Sequence, residues 1–478
     1  MRSRHLRRSA RTAGTSLSGL NHGESMMPKL GRLAWNGAGT VAAVLAVGAA
    51  GLSPAAAATG PVSAVPAAGT PQLAPTGTTT EQVRQLVDCG GTMYAVGSFT
   101  SINQGAGTVT RDNIFSFSDT SPFAVTSWDP NVNGEVNTIA FSGGNCADAY
   151  IGGRFTMAGS TAVKNIAEIN TTTGAVVPAF KSNASGQVET ILAARGHLLV
   201  GGFFKGINGS STHSFYISLN PAIGKDDGYL NLAVSGHYVY PNVKTNNTEI
   251  YNQQLSPNGN DVLVEGDFTS VGGLARQQIF MLGLGAAAGT VTAWNSAEFS
   301  QFCAVNRPFY IQAAAWSPDG SEVYVADTGR NPDGWNHTFP LTGLCSAAAA
   351  FPATLGTVSH DWINYTGCDS LYSVAADSTA VYVGGDERWA DNAHGCNHPG
   401  TGFVNAPGMG GFTPGATGGT LIPNSGGTAG LYSRARGLGA DDMLLTSAGL
   451  WIASDNLQGS ATCGGVPGHA GICFLPYS

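Results

Sequence analysis

Short runs in which apolar and small residues alternate recur along this chain at intervals of about sixty residues. The clear copies are MYAVGSF (93–99), AYIGGRF (149–155), LLVGGFF (198–204) and VLVEGDF (262–268), and the weaker ones are VYVADTG (323–329), VYVGGDE (381–387) and LWIASDN (450–456). A second apolar run precedes each copy, as in VNTIAF (136–141), VETILAA (188–194) and IQAAAW (311–316), with turns such as SPNGN and SPDGS between the two. Paired β-branched and aromatic runs joined by Asn-Gly or Asp-Gly predict hairpins. A third run follows in the first four copies (IFSF, IAEI, FYISL, IFML), and a fourth ends at Trp128 and Phe180. Four antiparallel strands per unit, repeated in tandem, predict an all-β fold, a β-propeller of seven four-stranded blades, with six or eight as the alternative counts.

The last copy ends in ICFLPY (472–477), a third strand without a fourth. The arm around Gln72 to Pro75 is expected to supply the missing strand and close the ring, which removes an open sheet edge. Composition agrees with strands and turns: 67 of 478 residues are Gly and only 11% are charged, too much Gly and too few exposed-face charges for a helical protein. The repeated Gly at 97, 153, 202, 266 and 385 is read as allowing a kink or bulge at the strand end, and the Phe two residues later as packing between blades. Trp128, Phe180 and Trp294 are read as packing residues before the blade crossings.

Arg2, Arg4, Arg7, Arg8, Arg11, Lys29 and Arg32 precede an apolar stretch, AGTVAAVLAVGAAGL (38–52), and the run Ala55 to Ala58. These are the parts of a secretory signal peptide, so residues 1–58 are read as a leader cleaved after Ala58, with Met26 or Met27 as an alternative start. Residues 59–80, rich in Pro, Ala and Thr, read as a linker or closing strand, and 81–478 as a single propeller domain. The expected product is a secreted, extracellular or surface-associated monomer with no membrane span once the leader is gone. Acidic side chains outnumber basic ones about two to one beyond residue 58, which excludes the electrostatic footprint of a nucleic-acid binder. Export also suits eight cysteines, Cys89, Cys146, Cys303, Cys345, Cys368, Cys396, Cys463 and Cys473, as up to four disulfides. Cys463 with Cys473 is the preferred local pair, and neighbour pairing is assumed for the rest.

The motifs V-G-S-F-T-S-I, G-G-R-F-T-M-A-G and G-D-F-T-S-V-G-G resemble those of the delta-60 repeat propellers of secreted actinobacterial proteins. Y-V-G-G-D-E-R-W-A-D-N (382–392) and the stretch 436–456 are similar to the C-terminal region of the same group. The resemblance covers roughly residues 80–478 and implies a propeller. It implies no catalytic residues. The chain departs from the pattern at VYVADTG and LWIASDN, which lack Gly-x-Phe.

The densest polar cluster is Asp386, Glu387, Arg388, Trp389, Asp391, Asn392 and His394, after a strand. An Arg beside Trp and carboxylates is suited to gripping a sugar or a peptide carboxylate, and equally to a structural ion pair. Arg434, Arg436, Asp441, Asp442, Asp455 and Asn456 form a second group, and the ligand reading requires both on one face. Asp386, Arg388, Trp389, Asp391, Asn392, Arg436, Asp441 and Asp455 are therefore the ligand-binding candidates. The turns DPNVNG (129–134) and NPDGWN (331–336) are candidate structural calcium sites, more simply read as Asx turns. His360, His394 and His398 carry little metal-site character, and no cofactor or other metal is expected. Nucleophile elbows, H-E-x-x-H, Walker and dinucleotide motifs are absent from the sequence. The expected role is non-catalytic recognition of an extracellular glycan, cell-wall component or protein. The alternative is a glycoside-active hydrolase or lyase with carboxylates at the central mouth.

Overall fold

The computed structural model describes residues 60–75, 81–237, 247–300, 303, 310–329, 343–396, 398–423, 440–455, 462–463 and 466–477. The proposed leader, NPDGWN, Arg434, Arg436 and Asn456 lie outside them. The chain is an all-β propeller. Among the described residues, seven sheets form the repeated unit, each pairing three or four strands antiparallel, with shorter two- and three-stranded sheets between them. Their first strands are Gln82–Cys89, Glu135–Phe141, Gln187–Ala194, Glu249–Leu255, Tyr310–Trp316, Leu371–Ala376 and Asp442–Thr446. A full fourth strand is present as Gly289–Val291 and Trp362–Tyr365, and elsewhere a single bridge marks it, as in Phe117 with Val125 and Ile169 with Val176.

The core is divided into seven apolar clusters, each joining two consecutive sheets. Tyr94, Val96 and Ile114 of the first sheet pack with Val136, Ile151 and Ile169 of the second. Phe115 and Phe117 of the first pack with Trp451 and Phe474 of the last. Each sheet thus buries both faces against neighbours, which is why strands such as Thr92–Ser98 carry unbroken apolar runs rather than strict alternation.

One backbone feature repeats with the sheets. The residue before each third strand is left-handed: Asn113, Asn165, Phe215, Gln278 and Ser346 have φ of 60–69°, and Gly408 and Gly471 have 79° and 84°. In the first four sheets the Gly-x-Phe motif clamps it. Gly97 N donates to Asn113 O and Asn113 N donates to Phe99 O, both at 3.0 Å, and the same pair recurs for Gly153, Asn165 and Phe155. The Asn113 and Asn165 amides then reach forward to Val132 O and Ala184 O, tying each turn to the approach to the next sheet.

The arm lies ten residues earlier than expected. Val62 bridges Tyr477, and Ser63 N and Ala67 N donate to Pro476 O and Phe474 O along the last strand. Gln72–Leu73 instead pairs with Ser101–Gln104. Val62 and Leu73 are both buried, so apolar content alone did not distinguish them. The four disulfides follow the neighbour pairing: Cys89–Cys146, Cys303–Cys345, Cys368–Cys396 and Cys463–Cys473. No helix among the described residues is long and apolar enough to cross a membrane.

Candidate functional site: a polar ring in the central channel

The first strand of each of the first six sheets carries a β-bulge, after Val83, Val136, Val188, Ile250, Ile311 and Leu371. A bulge inserts one unpaired residue and re-aims its side chain. The residues so displaced are Arg84, Asn137, Glu189, Tyr251, Gln312 and Tyr372, and all six line one cavity of about 450 Å³. Asp441 and Asp442, at the start of the seventh first strand, complete the wall. Every sheet thus contributes to a central channel.

The repeated glycine is the partner of that bulge. A Cβ on Gly97 would stand 2.0 Å from Gln82 O, and one on Gly153 would stand 2.1 Å from Glu135 O. At Gly202, Gly266 and Gly385 the facing carbonyls, of Gln187, Glu249 and Ser370, would stand 2.4, 2.1 and 2.0 Å from such a Cβ. The expected kink or bulge at the strand end is thus a bulge, and it lies in the facing first strand rather than in the glycine's own. The glycines leave room for the bulge opposite, and so set the channel residue.

The residue after the bulge stitches sheets together. Gln85 Oε1 accepts Ile139 N at 2.7 Å, Thr138 Oγ1 accepts Ile191 N at 3.1 Å, and Asp442 Oδ2 accepts Leu86 N at 3.0 Å. The last bond joins the seventh sheet to the first. Burial raises the Asp442 carboxyl to about 6, although the bonds from Leu86 and Met443 amides oppose the rise.

The wall is acidic on one side. Arg84 pairs with Glu135 at 3.0 Å. Glu189 Oε2 accepts Asn137 Nδ2 at 2.8 Å. Burial first, then Glu249 and Glu135, push the Glu189 carboxyl to about 7 against the pull of Arg84. Burial and Asp267 push Glu249 to about 7. On the second strand of the fourth sheet, opposite Asn252, Glu265 is fully buried with neither carboxylate oxygen bonded among the described residues, and burial raises it to about 8.

Of the sequence candidates, Asp441 lines the channel, where its Oδ2 accepts Gln82 Nε2 at 2.5 Å. Asp455 is buried and bridges Gln82. Asp386 to Asn392 follow the second strand of the sixth sheet, on the end where first strands begin, as Asp441 and Asp455 also are. They do not line the cavity. Arg388 makes a two-pronged ion pair with Asp369, at 2.7 and 2.6 Å, and lies 4.1 Å over the Trp389 ring. Asp386 Oδ1 accepts Ser370 N, Asp391 pairs with Asn364, and Asn392 is buried against Thr366 O and Gly400 N. These side chains hold the loop that Cys368–Cys396 also fastens. Asp129 Oδ1 accepts Asn131 N, an Asx turn, and His360 pairs with Glu298 at 2.6 Å. No group of three or more metal-ligating side chains occurs among the described residues.

Sequence reasoning missed Arg84, Asn137, Glu189, Tyr251, Gln312 and Tyr372. A signal was present: in the first four copies each follows Val or Ile at the start of the run before Gly-x-Phe. Their chemical variety hid the common position.

No family model matches the chain, and no curated protein is similar to it. Solved structures give fold likenesses. "Structure of U3-55K" aligns at 9% identity and TM-score 0.45, covering 86% of this chain and 100% of that one. The RRP9 WD40 repeats align at 9% identity and TM-score 0.46, covering 86% and 99%. The extracellular domain of a putative one component system, BT4673 from B. thetaiotaomicron, aligns at 10% and 0.44, covering 86% of this chain and 40% of that one. At these identities the likeness is one of fold alone.

Proposed function

We propose that this chain is a secreted, non-catalytic recognition propeller that binds an extracellular glycan or cell-wall component at the central channel. The carrying observation is the ring of six bulge residues, one from each of the first six sheets, which places amide, carboxylate, guanidinium and phenol groups around a single cavity. Polyhydroxylated ligands are recognised by such convergent donors and acceptors on a rigid frame. The loop 386–392, on the same end, is the proposed rim, with Arg388 and Trp389 as its contact surface. Export through a leader ending near Ala58 belongs to the same reading, which the four disulfides support. So does the resemblance to delta-60 repeat propellers.

The test is a panel of cell-wall polysaccharides titrated against the purified protein. Gln312→Ala and Tyr372→Ala are expected to weaken binding at least about ten-fold, or 1.4 kcal/mol, with the fold retained by circular dichroism. Wild-type affinity in both variants would sink the channel as the site. Glycoside hydrolysis is favoured by one observation, the raised carboxyls of Glu189 and Asp442 in one cavity, suited to a general acid. Release of reducing ends from a bound polysaccharide, lost in Glu189→Gln, would establish that reading in place of simple recognition.

A further inference from the structure

The repeats of this chain serve as controls for one another. At the fourth position of the repeated motif the copies carry Val96, Gly152, Gly201, Ala326, Gly384 and Ala453, whereas the fourth copy carries Glu265. A carboxyl there is costly, since an unpaired polar group away from water loses its hydration without replacement. Glu265 nonetheless stands fully buried with neither oxygen bonded among the described residues. It pairs across the sheet with Asn252, so the two side chains leave the same sheet face, and Asn252 lines the channel beside Tyr251.

The wall in front of it is short of positive charge. Among the lining residues Arg84 is the cation, against Glu189, Asp441 and Asp442, and Arg84 is already paired with Glu135. Asp442 is engaged by Leu86 N and Asp441 by the Gln82 amide. Glu189 is engaged at Oε2 by Asn137, and no hydrogen bond among the described residues reaches its Oε1. Glu249 adds a further carboxyl from the start of the fourth first strand. A low-dielectric wall with several acids and a single matched cation favours a positively charged group in the cavity.

Resting on the recognition reading above, we infer that the channel selects a saccharide bearing a primary ammonium group. Glu189 receives the ammonium, whose positive charge also draws the Glu265 carboxyl behind the wall toward its ionised form, and Tyr372 on the opposite arc offers a ring face to the sugar.

The test compares a glucosamine trimer with its N-acetylated counterpart at one neutral pH by calorimetry on the purified protein. The amino trimer is expected to bind at least about ten-fold more tightly. Glu189→Gln is expected to bring that ratio close to one. Glu265→Ala, which restores the side chain carried by the fifth and seventh copies and so keeps the fold, is expected to lower it about three-fold. Equal affinity for the two trimers overturns the inference, as does a ratio that survives Glu189→Gln. A trilysine peptide bound as tightly as the amino trimer also overturns it, because the saccharide would then contribute nothing. If neither trimer binds while another polysaccharide of the panel does, the ammonium inference falls and the recognition reading stands. If no polysaccharide binds, both fall.

Discussion

The first four sheets and the last three reach one architecture by different means. In the first four, Gly-x-Phe places Phe99, Phe155, Phe204 and Phe268 in the core, each at most 2% exposed, and clamps the left-handed residue before the third strand. In the last three those Phe positions hold Gly329, Glu387 and Asn456. Three of the four disulfides fall there: Cys303–Cys345, Cys368–Cys396 and Cys463–Cys473. Cys303 and Cys345 sit in the apolar cluster between the fourth and fifth sheets, and Cys463 and Cys473 in that between the sixth and seventh. A buried Phe contributes about 1.5–3 kcal/mol and a disulfide closing a loop of this size about 3 kcal/mol. Covalent links therefore stand where the packing motif has been lost. The same ring can tolerate decay of its repeat if each lost plug is replaced locally.

The sharpest way to break that comparison is at the glycine of the motif. Gly153→Ala would force a Cβ against Glu135 O at 2.1 Å and Val136 Cα at 2.9 Å, both backbone atoms that cannot swing aside. A loss of at least about 4 kcal/mol, or failure to fold, is expected by urea denaturation. The fifth sheet holds Asp327 at that position, paired with Ile311, and so already accommodates a side chain. Asp327→Ala should cost only about 1 kcal/mol, the value of the bond that its Oδ1 accepts from Ser346 N at 2.6 Å. Similar losses at both positions would mean that the bulge does not differ between the two groups of sheets.

Much of this architecture was legible in the sequence, and the site was not, for a physical reason. Hairpins, repeat length and the Cys463–Cys473 link follow from local signals: turn residues, period and spacing. The neighbour pairing of the other cysteines was an assumption that the structure matches. The ring of Arg84, Asn137, Glu189, Tyr251, Gln312 and Tyr372 is assembled from positions about sixty residues apart, so no window of sequence contains it. A dense run such as Asp386 to Asn392 draws attention because its polar groups are adjacent. Adjacent polar groups on a loop mostly satisfy one another, as Arg388 and Asp369 do. The arm was misplaced by ten residues because both Val62 and Leu73 end up buried, and only the hydrogen-bonding partner differs.

A second prediction sharpens the comparison through its covalent half. Replacing Cys368 and Cys396 together by Ser should remove about 3 kcal/mol, since the link closes a separation of 28 residues. Hydrogen exchange should then quicken in Leu371–Ala376 and Val381–Gly385 while Asp148–Arg154 stays protected. Equal quickening in both regions would show that the disulfide does not act locally.

The smallest expected effect lies at the junction of the two regions, where the fourth sheet meets the fifth. Glu265 is raised to about 8 by burial, and an unfolded Glu titrates near 4.5. The folded chain therefore binds a proton that the unfolded chain has released, and the stability this contributes is full below about pH 4.5 and lost as pH rises through 8. Glu189 and Glu249, both raised to about 7, add the same sign over a narrower window. Stability should thus decline between pH 5 and pH 8. Glu265→Gln, isosteric and without a titrating proton, should flatten the slope and make the protein more stable than the parent at pH 8, with little change at pH 5. A parallel shift of the whole curve would instead mean that Glu265 is charged throughout and held by a partner. The repeat would then have gained a pairing rather than sacrificed stability at one position for a carboxyl that ionises when a cation occupies the channel.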